Sequence, residues 1–271
     1  VNFASDTAVE PLGDGRYGAN VHERWFVARG PNGGYIAAII ARALRRAIDD
    51  DERGLKSLTV HYLLPPVAGP LEVQVTVERA GRTATALSAR VVQGGRTVAI
   101  ALAAAARAWP GGFEYANAPM PDVPPPEELP HLNEFRESMP PFARNWEMRP
   151  AIGAAPFTGG DEARAGGWLR IDPIEPTDEA LAVAMTDTWF PAPFSVATAP
   201  LLAPTIDLTI HLRAPLPGPE EYVLLVATSR VCRDGLFDED VDIWAPDGTL
   251  VAQSRQLARA ILPDVVAPAE S

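Results

Sequence analysis

One cysteine, Cys232, stands among 271 residues, so the chain holds no internal disulfide and no cysteine-rich metal site. Histidine is almost as scarce. His22, His61, His131 and His211 lie far apart, and no HExxH pattern brings two of them together. No apolar run approaches the roughly 18 residues a membrane helix needs, and the longest, Val98 to Ala106, is short and alanine-rich. Basic residues are in deficit: 23 Lys and Arg face 35 Asp and Glu, a net charge of −12. That balance argues against a nucleic-acid partner, whose affinity comes largely from cations on phosphates. The stretch Val1 to Asp6 has neither a basic region nor an apolar core, so no secretory signal is expected in it. With 47% apolar and 21% charged residues, the composition is that of a folded globular protein. The expectation is a soluble, acidic, cytoplasmic protein that uses no metal or other cofactor and does not insert into membranes.

Proline is in excess, 28 residues in all, about twice average usage. It clusters from Pro110 to Pro150, a stretch that excludes long helices and central strands. The spacing predicts four segments: an N-terminal unit (1–109), a proline-rich crossover (110–160), a C-terminal unit (161–262) and a frayed tail (263–271). The aromatics Phe113, Tyr115, Phe135, Phe142 and Trp146 are expected to pin the crossover.

The first unit opens with strand-like pieces from Gly18 to Val27. After Gly33 and Gly34, the residues Ile36, Ile39, Ile40, Ala43, Leu44, Ala47 and Ile48 recur at helical spacing, with Arg42, Arg45 and Arg46 on the wet side and at the end. A helix this apolar should be largely buried. Strands follow over 57–64, 71–79, 83–93 and 97–108, with Gly94-Gly95 turning the last pair. The second unit repeats the order. A strand over 168–174 precedes a helix capped by Thr177 and running through Leu181, Met185 and Trp189. Strands over 204–214, 222–232, 236–244 and 249–262 complete it.

The two units also echo in detail. Leu58-Thr-Val-His61 matches Leu208-Thr-Ile-His211, and Gly94-Gly-Arg-Thr-Val-Ala99 matches Asp247-Gly-Thr-Leu-Val-Ala252, at nearly one offset. This implies a duplicated unit of one helix on an antiparallel sheet, an α+β architecture. Several motifs dissolve in context. Gly13-Asp-Gly-Arg-Tyr-Gly18 fits GxGxxG but lacks the strand before and helix after it, and reads as a turn. Asp238, Asp240 and Asp242 mimic a calcium loop, yet Ile243 and Thr249 stand where Gly and Glu are required, so the acids read as the wet face of a strand. Cys232 reads as a buried structural thiol. His61 and His211 occupy equivalent places and read as half-buried strand histidines.

Polar residues where the pattern predicts small apolar ones are more informative. Ala252, Ser254, Gln256, Ala258 and Ala260 share one strand face, and the first unit carries Ala99, Ala101, Ala103 and Ala105 there. Gln256 thus stands where the repeat has Ala103, and a buried amide without partners costs on the order of a few kcal/mol, so polar company is expected. Asp187 lies near the C-terminal end of the second helix, where the dipole gives a carboxylate nothing, and on the side turned to the sheet. Thr205 opens the strand that starts close to that helix end.

Together these segments resemble acyl-CoA thioesterase II and its thioesterase-like relatives, which carry two fused hotdog folds. Gly30-Pro-Asn-Gly-Gly-Tyr-Ile-Ala-Ala38 is similar to the family's first hotdog helix, and Ser57-Leu-Thr-Val-His-Tyr-Leu-Leu-Pro-Pro66 to the strand after it. In the second unit, Thr186-Asp-Thr-Trp-Phe-Pro191, Pro204-Thr-Ile-Asp-Leu208 and Val251-Ala-Gln-Ser-Arg-Gln256 are similar to the segments bearing the family's catalytic Asp, Thr and Gln. Leu208 departs from the histidine the family often has there. The resemblance implies a double hotdog that hydrolyses acyl-CoA to a free acid and CoA, using water activated by Asp187, Thr205 and Gln256. The N–H groups near Gly33 and Gly34 are candidate oxyanion donors, and an apolar tunnel between helix and sheet would take the acyl chain. Arg79, Arg82, Arg230, Arg233, Arg255 and Arg259 are candidate CoA contacts. A homodimer is a further expectation. A non-catalytic acyl or acyl-CoA binding protein of the same fold is the alternative. A hydratase using Asp207 and His211 ranks below both.

Overall fold

Alternating apolar residues make the strands of this chain, and two apolar runs make its principal helices. The computed structural model describes residues 2–27, 30–48, 50–109, 111–132 and 139–263. The first unit comprises α1 (Phe3–Asp6), β1 (Glu10–Gly13), β2 (Arg16–Val21), α2 (Gly33–Ala47), β3 (Gly54–Tyr62), β4 (Gly69–Ala80), β5 (Ala84–Gln93) and β6 (Arg96–Ala106). The second comprises β7 (Trp146–Ile152), β8 (Arg164–Ile171), α3 (Glu179–Met185), β9 (Thr205–Leu212), β10 (Val223–Thr228), β11 (Cys232–Arg233), β12 (Leu236–Trp244) and β13 (Leu250–Arg259). All strand pairs are antiparallel, in the order β1-β2-β4-β5-β6-β3-β9-β13-β12-β10-β8-β7, with β11 beside β12. This is the expected α+β double hotdog.

The duplication is written into the register. β3 and β9 meet at the centre, where Thr59 faces Thr209 and their Oγ1 atoms lie 3.0 Å apart. Reading outward from that pair, each strand meets its counterpart: β6 and β13, β5 and β12, β4 and β10, β2 and β8, β1 and β7. Leu58 pairs with Ala103 as Leu208 pairs with Gln256, and Leu87 faces Ala103 as Glu239 faces Gln256. Leu55 pairs with Ala105 as Thr205 pairs with Ala258.

α2 and α3 pack on each other within the sheet. Tyr35, Ile36, Ile39, Ile40 and Leu44 of α2 are fully buried, each such side chain contributing about 1.5 to 3 kcal/mol. The facing strand surface is small, because Ala99, Ala101, Ala103 and Ala105 all point inward. That lets the helix approach closely.

Four expectations need correction. The cap of α3 is Asp178, whose carboxylate accepts the Leu181 N–H at 2.8 Å, while the Thr177 hydroxyl turns away to Pro217 O. α3 also stops at Met185 instead of reaching Trp189. The Thr186 and Thr188 hydroxyls bond back to the carbonyls of Val183 and Ala184, and the Thr186, Asp187 and Thr188 N–H groups bond three residues back, tightening the last turn. Cys232 is exposed, because β11 is a two-residue strand at the margin of the sheet. Finally, residues 146–152 lie in the span assigned to the crossover but form β7, an edge strand. Pro150 is tolerated there beside a bulge.

The crossover is pinned differently from expectation. Phe142 and Trp146 are buried, but Phe113 and Tyr115 are 93% and 76% exposed, and Phe135 lies outside the described residues. Met120, Val123 and Leu129 instead cover Trp168, Leu224, Val226 and Trp244 on the outer face of the second unit's strands. Both indoles donate to the crossover backbone, Trp168 to Pro124 O at 2.9 Å and Trp244 to Ala118 O at 3.0 Å. Trp168→Phe keeps most of this apolar contact and loses the N–H, so urea unfolding should show a loss of about 1 to 2 kcal/mol. The Gly13–Gly18 stretch is the expected turn: Gly13, Asp14 and Gly15 adopt positive φ between β1 and β2. Asp238, Asp240 and Asp242 lie on the wetter face of β12; Arg230 and Arg255 pair with the first two, and Asp242 accepts the Gln253 amide.

Candidate active site

The helix–helix contact places the start of α2 against the end of α3. Asn32 caps α2 by accepting the Tyr35 N–H at 3.0 Å, and its amide nitrogen reaches across to the Asp187 backbone oxygen at 2.7 Å and to Oδ2 at 3.1 Å. The Gly34 N–H donates to the same Oδ2 at 2.8 Å. The Asp187 carboxylate, unfavourably placed with respect to its own helix, therefore sits at the positive end of the other one. Glycine is required for this approach. A Cβ on Gly34 would stand 2.7 Å from Ala184 O and 2.9 Å from the Asp187 Cβ, and one on Gly33 would stand 2.9 Å from Asp187 Oδ2. Tyr62, at the end of β3, closes the same corner and donates its hydroxyl to Gly33 O at 2.8 Å.

Gln256 approaches from the sheet. It is buried and has the polar company its burial demands. Its oxygen accepts the Thr205 hydroxyl at 2.8 Å, and its nitrogen donates to Glu239 Oε1 at 2.7 Å. The Gln256 amide also lies near enough to Asp187 to favour its charged form. Thus Asp187, Thr205 and Gln256 converge on one place, together with the Gly33-Gly34 turn of the other half. The two glycines differ from the expectation in one respect. In this arrangement the Gly34 N–H serves the carboxylate and is not free for an incoming oxyanion.

Burial dominates the electrostatics. It raises the pKa of Asp187 from 3.8 to about 6, against the N–H groups of Gly34, Asn32, Gln256 and Gly33 that pull it down. Glu239 is raised further, from 4.5 to about 7, by burial and by the nearby charges of Asp187 and Asp238, against donors from Ala192 and Gln256. The Tyr62 phenol is held well above its usual range by burial and by the Asp187 charge. A carboxylate titrating near neutrality beside an amide and a hydroxyl is equipped to take a proton from water.

Sequence reasoning passed over Asn32, Tyr62 and Glu239. Asn32, before two glycines and an apolar run, carried a capping signal. Glu239 alternates with the buried Phe237, Val241 and Ile243 and sits opposite Gln256, a signal visible once the repeat was extended to β12. Tyr62 carried none. The remaining candidates lie elsewhere. His61 is exposed, and Asp207 and His211 lie on the side of β9 opposite the buried Leu208 and Ile210. All six candidate arginines are exposed; Arg230 and Arg255 pair with Asp238 and Asp240. An open groove of about 580 Å³, between the N-terminal segment and β4 and β5, contains none of the site residues. Among the described residues, no group of three or more His, Cys, Asp or Glu is placed to hold a metal, and no helix is long and apolar enough to cross a membrane.

Comparison with known proteins covers most of the chain. A profile described as the acyl-CoA thioesterase N-terminal domain matches residues 21–109, and one described as the acyl-CoA thioesterase C-terminal domain matches residues 118–260. No curated protein sequence gives a significant match. Among solved structures, a conserved protein of unknown function with a hot dog fold from Alicyclobacillus acidocaldarius is 27% identical over 96% of this chain and 98% of its own, with a TM-score of 0.84. A candidate thioesterase II from Thermobifida fusca is 26% identical over 95% and 97%, with a TM-score of 0.81. An acyl-CoA thioesterase II from Mycobacterium marinum, 20% identical over 96% and 98% with a TM-score of 0.76, shares the fold.

Proposed function

Because the chain belongs to the acyl-CoA thioesterase family, we propose that it hydrolyses an acyl-CoA thioester to a free carboxylic acid and CoA, with Asp187 as general base. The observation that carries this reading is the convergence of a carboxylate of raised pKa, the start of α2, and the Thr205–Gln256 pair. Asp187 takes a proton from water as the water oxygen adds to the thioester carbonyl carbon. The tetrahedral intermediate then collapses, the C–S bond breaks, and the departing CoA thiolate recovers that proton from Asp187. Thr205 and Gln256 hold the water in line. The Gly34 N–H is held by Asp187, so the oxyanion forms against the positive end of α2 and not on that donor.

The test is thiol release over short, medium, long and aryl acyl-CoA substrates. Retained binding with no thiol release across the panel would instead identify a non-catalytic acyl-CoA binding protein. The base must be ionised to act. Below about pH 6, kcat/KM should therefore fall tenfold for each unit of pH, and it should level off above that value. A pH-independent kcat/KM between 4.5 and 7 would remove Asp187 from the role of base.

A further inference from the structure

We propose that Glu239 is a positioning residue of this site, holding the Gln256 amide in the one orientation that serves Asp187 and Thr205. The inference rests on the hydrolytic reading above and assigns a role to a buried acid that the mechanism itself does not use. Glu239 is 3% exposed, and both its oxygens are engaged: Oε1 accepts Gln256 Nε2 at 2.7 Å and Oε2 accepts the Ala192 N–H at 2.5 Å. When it is ionised, the two donors meet one oxygen each and the carboxylate is an acceptor on both sides.

A primary amide can turn over, exchanging oxygen for nitrogen. With Glu239 beside it, the turned amide would set its oxygen against a carboxylate oxygen, leaving a buried N–H lost and two lone-pair surfaces in contact. The observed orientation commits the Gln256 oxygen to the Thr205 hydroxyl. Thr205 therefore spends its proton on Gln256 and keeps its lone pairs for a proton of the incoming water. In the turned orientation Gln256 would donate to Thr205, and the threonine proton would point where an acceptor is needed. The first half shows the same register without chemistry: Leu87 faces Ala103 there, where Glu239 faces Gln256.

The test compares Glu239→Leu, which installs the first half's residue type, with Glu239→Gln, which keeps the volume and one of the two acceptors. Thiol-release kinetics and the side-chain amide NMR signals of Gln256, assigned by their loss in Gln256→Ala, are read on each. In Glu239→Leu, kcat should fall about ten- to a hundredfold with KM within about twofold, the value of one charged hydrogen bond. Its Gln256 amide signals should move toward those of a free glutamine. In Glu239→Gln, kcat should fall about three- to tenfold with the amide signals largely kept. Unchanged kcat or unchanged amide signals in folded Glu239→Leu overturn the proposal. Should that variant not fold, wild-type kcat in Glu239→Gln overturns it. If the wild-type chain releases no thiol from any acyl-CoA, the hydrolytic reading has failed, and the amide signals still decide whether Glu239 fixes Gln256.

Discussion

Asp187→Asn should lower kcat for acyl-CoA hydrolysis by about a hundred- to ten-thousandfold, the range lost with a general base. Asn keeps an oxygen for the Gly34 N–H and the Asn32 amide, so the contact between α2 and α3 survives. Only the capacity to take a proton goes. Stability should move the other way. Folding raises this pKa from 3.8 to about 6, so the folded chain holds the proton more tightly than the unfolded one. The contribution is complete below about pH 4 and is lost as the pH rises through 6. Asp187→Asn stays neutral throughout. Its Tm should match wild type near pH 4 and exceed it at pH 8. Near-normal turnover in the variant would sink the assignment of Asp187.

Gly34→Ala should remove most activity by a different route. The added Cβ meets a backbone oxygen and a Cβ, neither of which can swing aside as the end of a flexible side chain could. The start of α2 must back away from Asp187, stretching the 2.8 Å bond from the Gly34 N–H. A displacement near 1 Å is enough to cost about a hundredfold in kcat. Overpacking of about 1 to 3 kcal/mol is partly offset by the gain of about 1 kcal/mol for Ala over Gly within a helix. Unfolding should therefore register the change weakly, and kinetics strongly. Gly18→Ala is the control. Its Cβ would meet only Leu12 side-chain carbons at 3.5 Å and beyond, and turnover should not change.

Most strands were legible because each alternates along one buried face, and α2 was legible because its apolar residues keep helical spacing. β12 runs over the expected residues, Leu236–Trp244. α3 was harder, because its end is set by Thr186 and Thr188 hydroxyls bonding back to the helix, and periodicity does not report side-chain competition for carbonyls. β7 was hidden by Pro150, which is admissible only because the strand lies at the sheet edge, and edge position is a property of the assembled sheet. At the site, Gln256 stood out against Ala103 as an amide needing partners, and the structure supplies Thr205 and Glu239. Glu239 itself escaped because its neighbours Asp238 and Asp240 drew the reading toward a wet face. The Asp187 contact with the Gly34 N–H spans 153 residues of sequence, and no local pattern encodes it.

The central pair Thr59 and Thr209 relates Leu55, Leu87 and Ala103 to Thr205, Glu239 and Gln256. Two equal halves would carry twice the load of buried acid, each such group weakening the fold as the pH climbs from about 4 to neutrality. Here one half keeps an ordinary apolar seam at those positions and supplies cohesion, while the other carries the groups that resist burial. The division of labour also limits occupancy. Ligand binding to this chain should saturate at one acyl-CoA per polypeptide, although the fold is present twice.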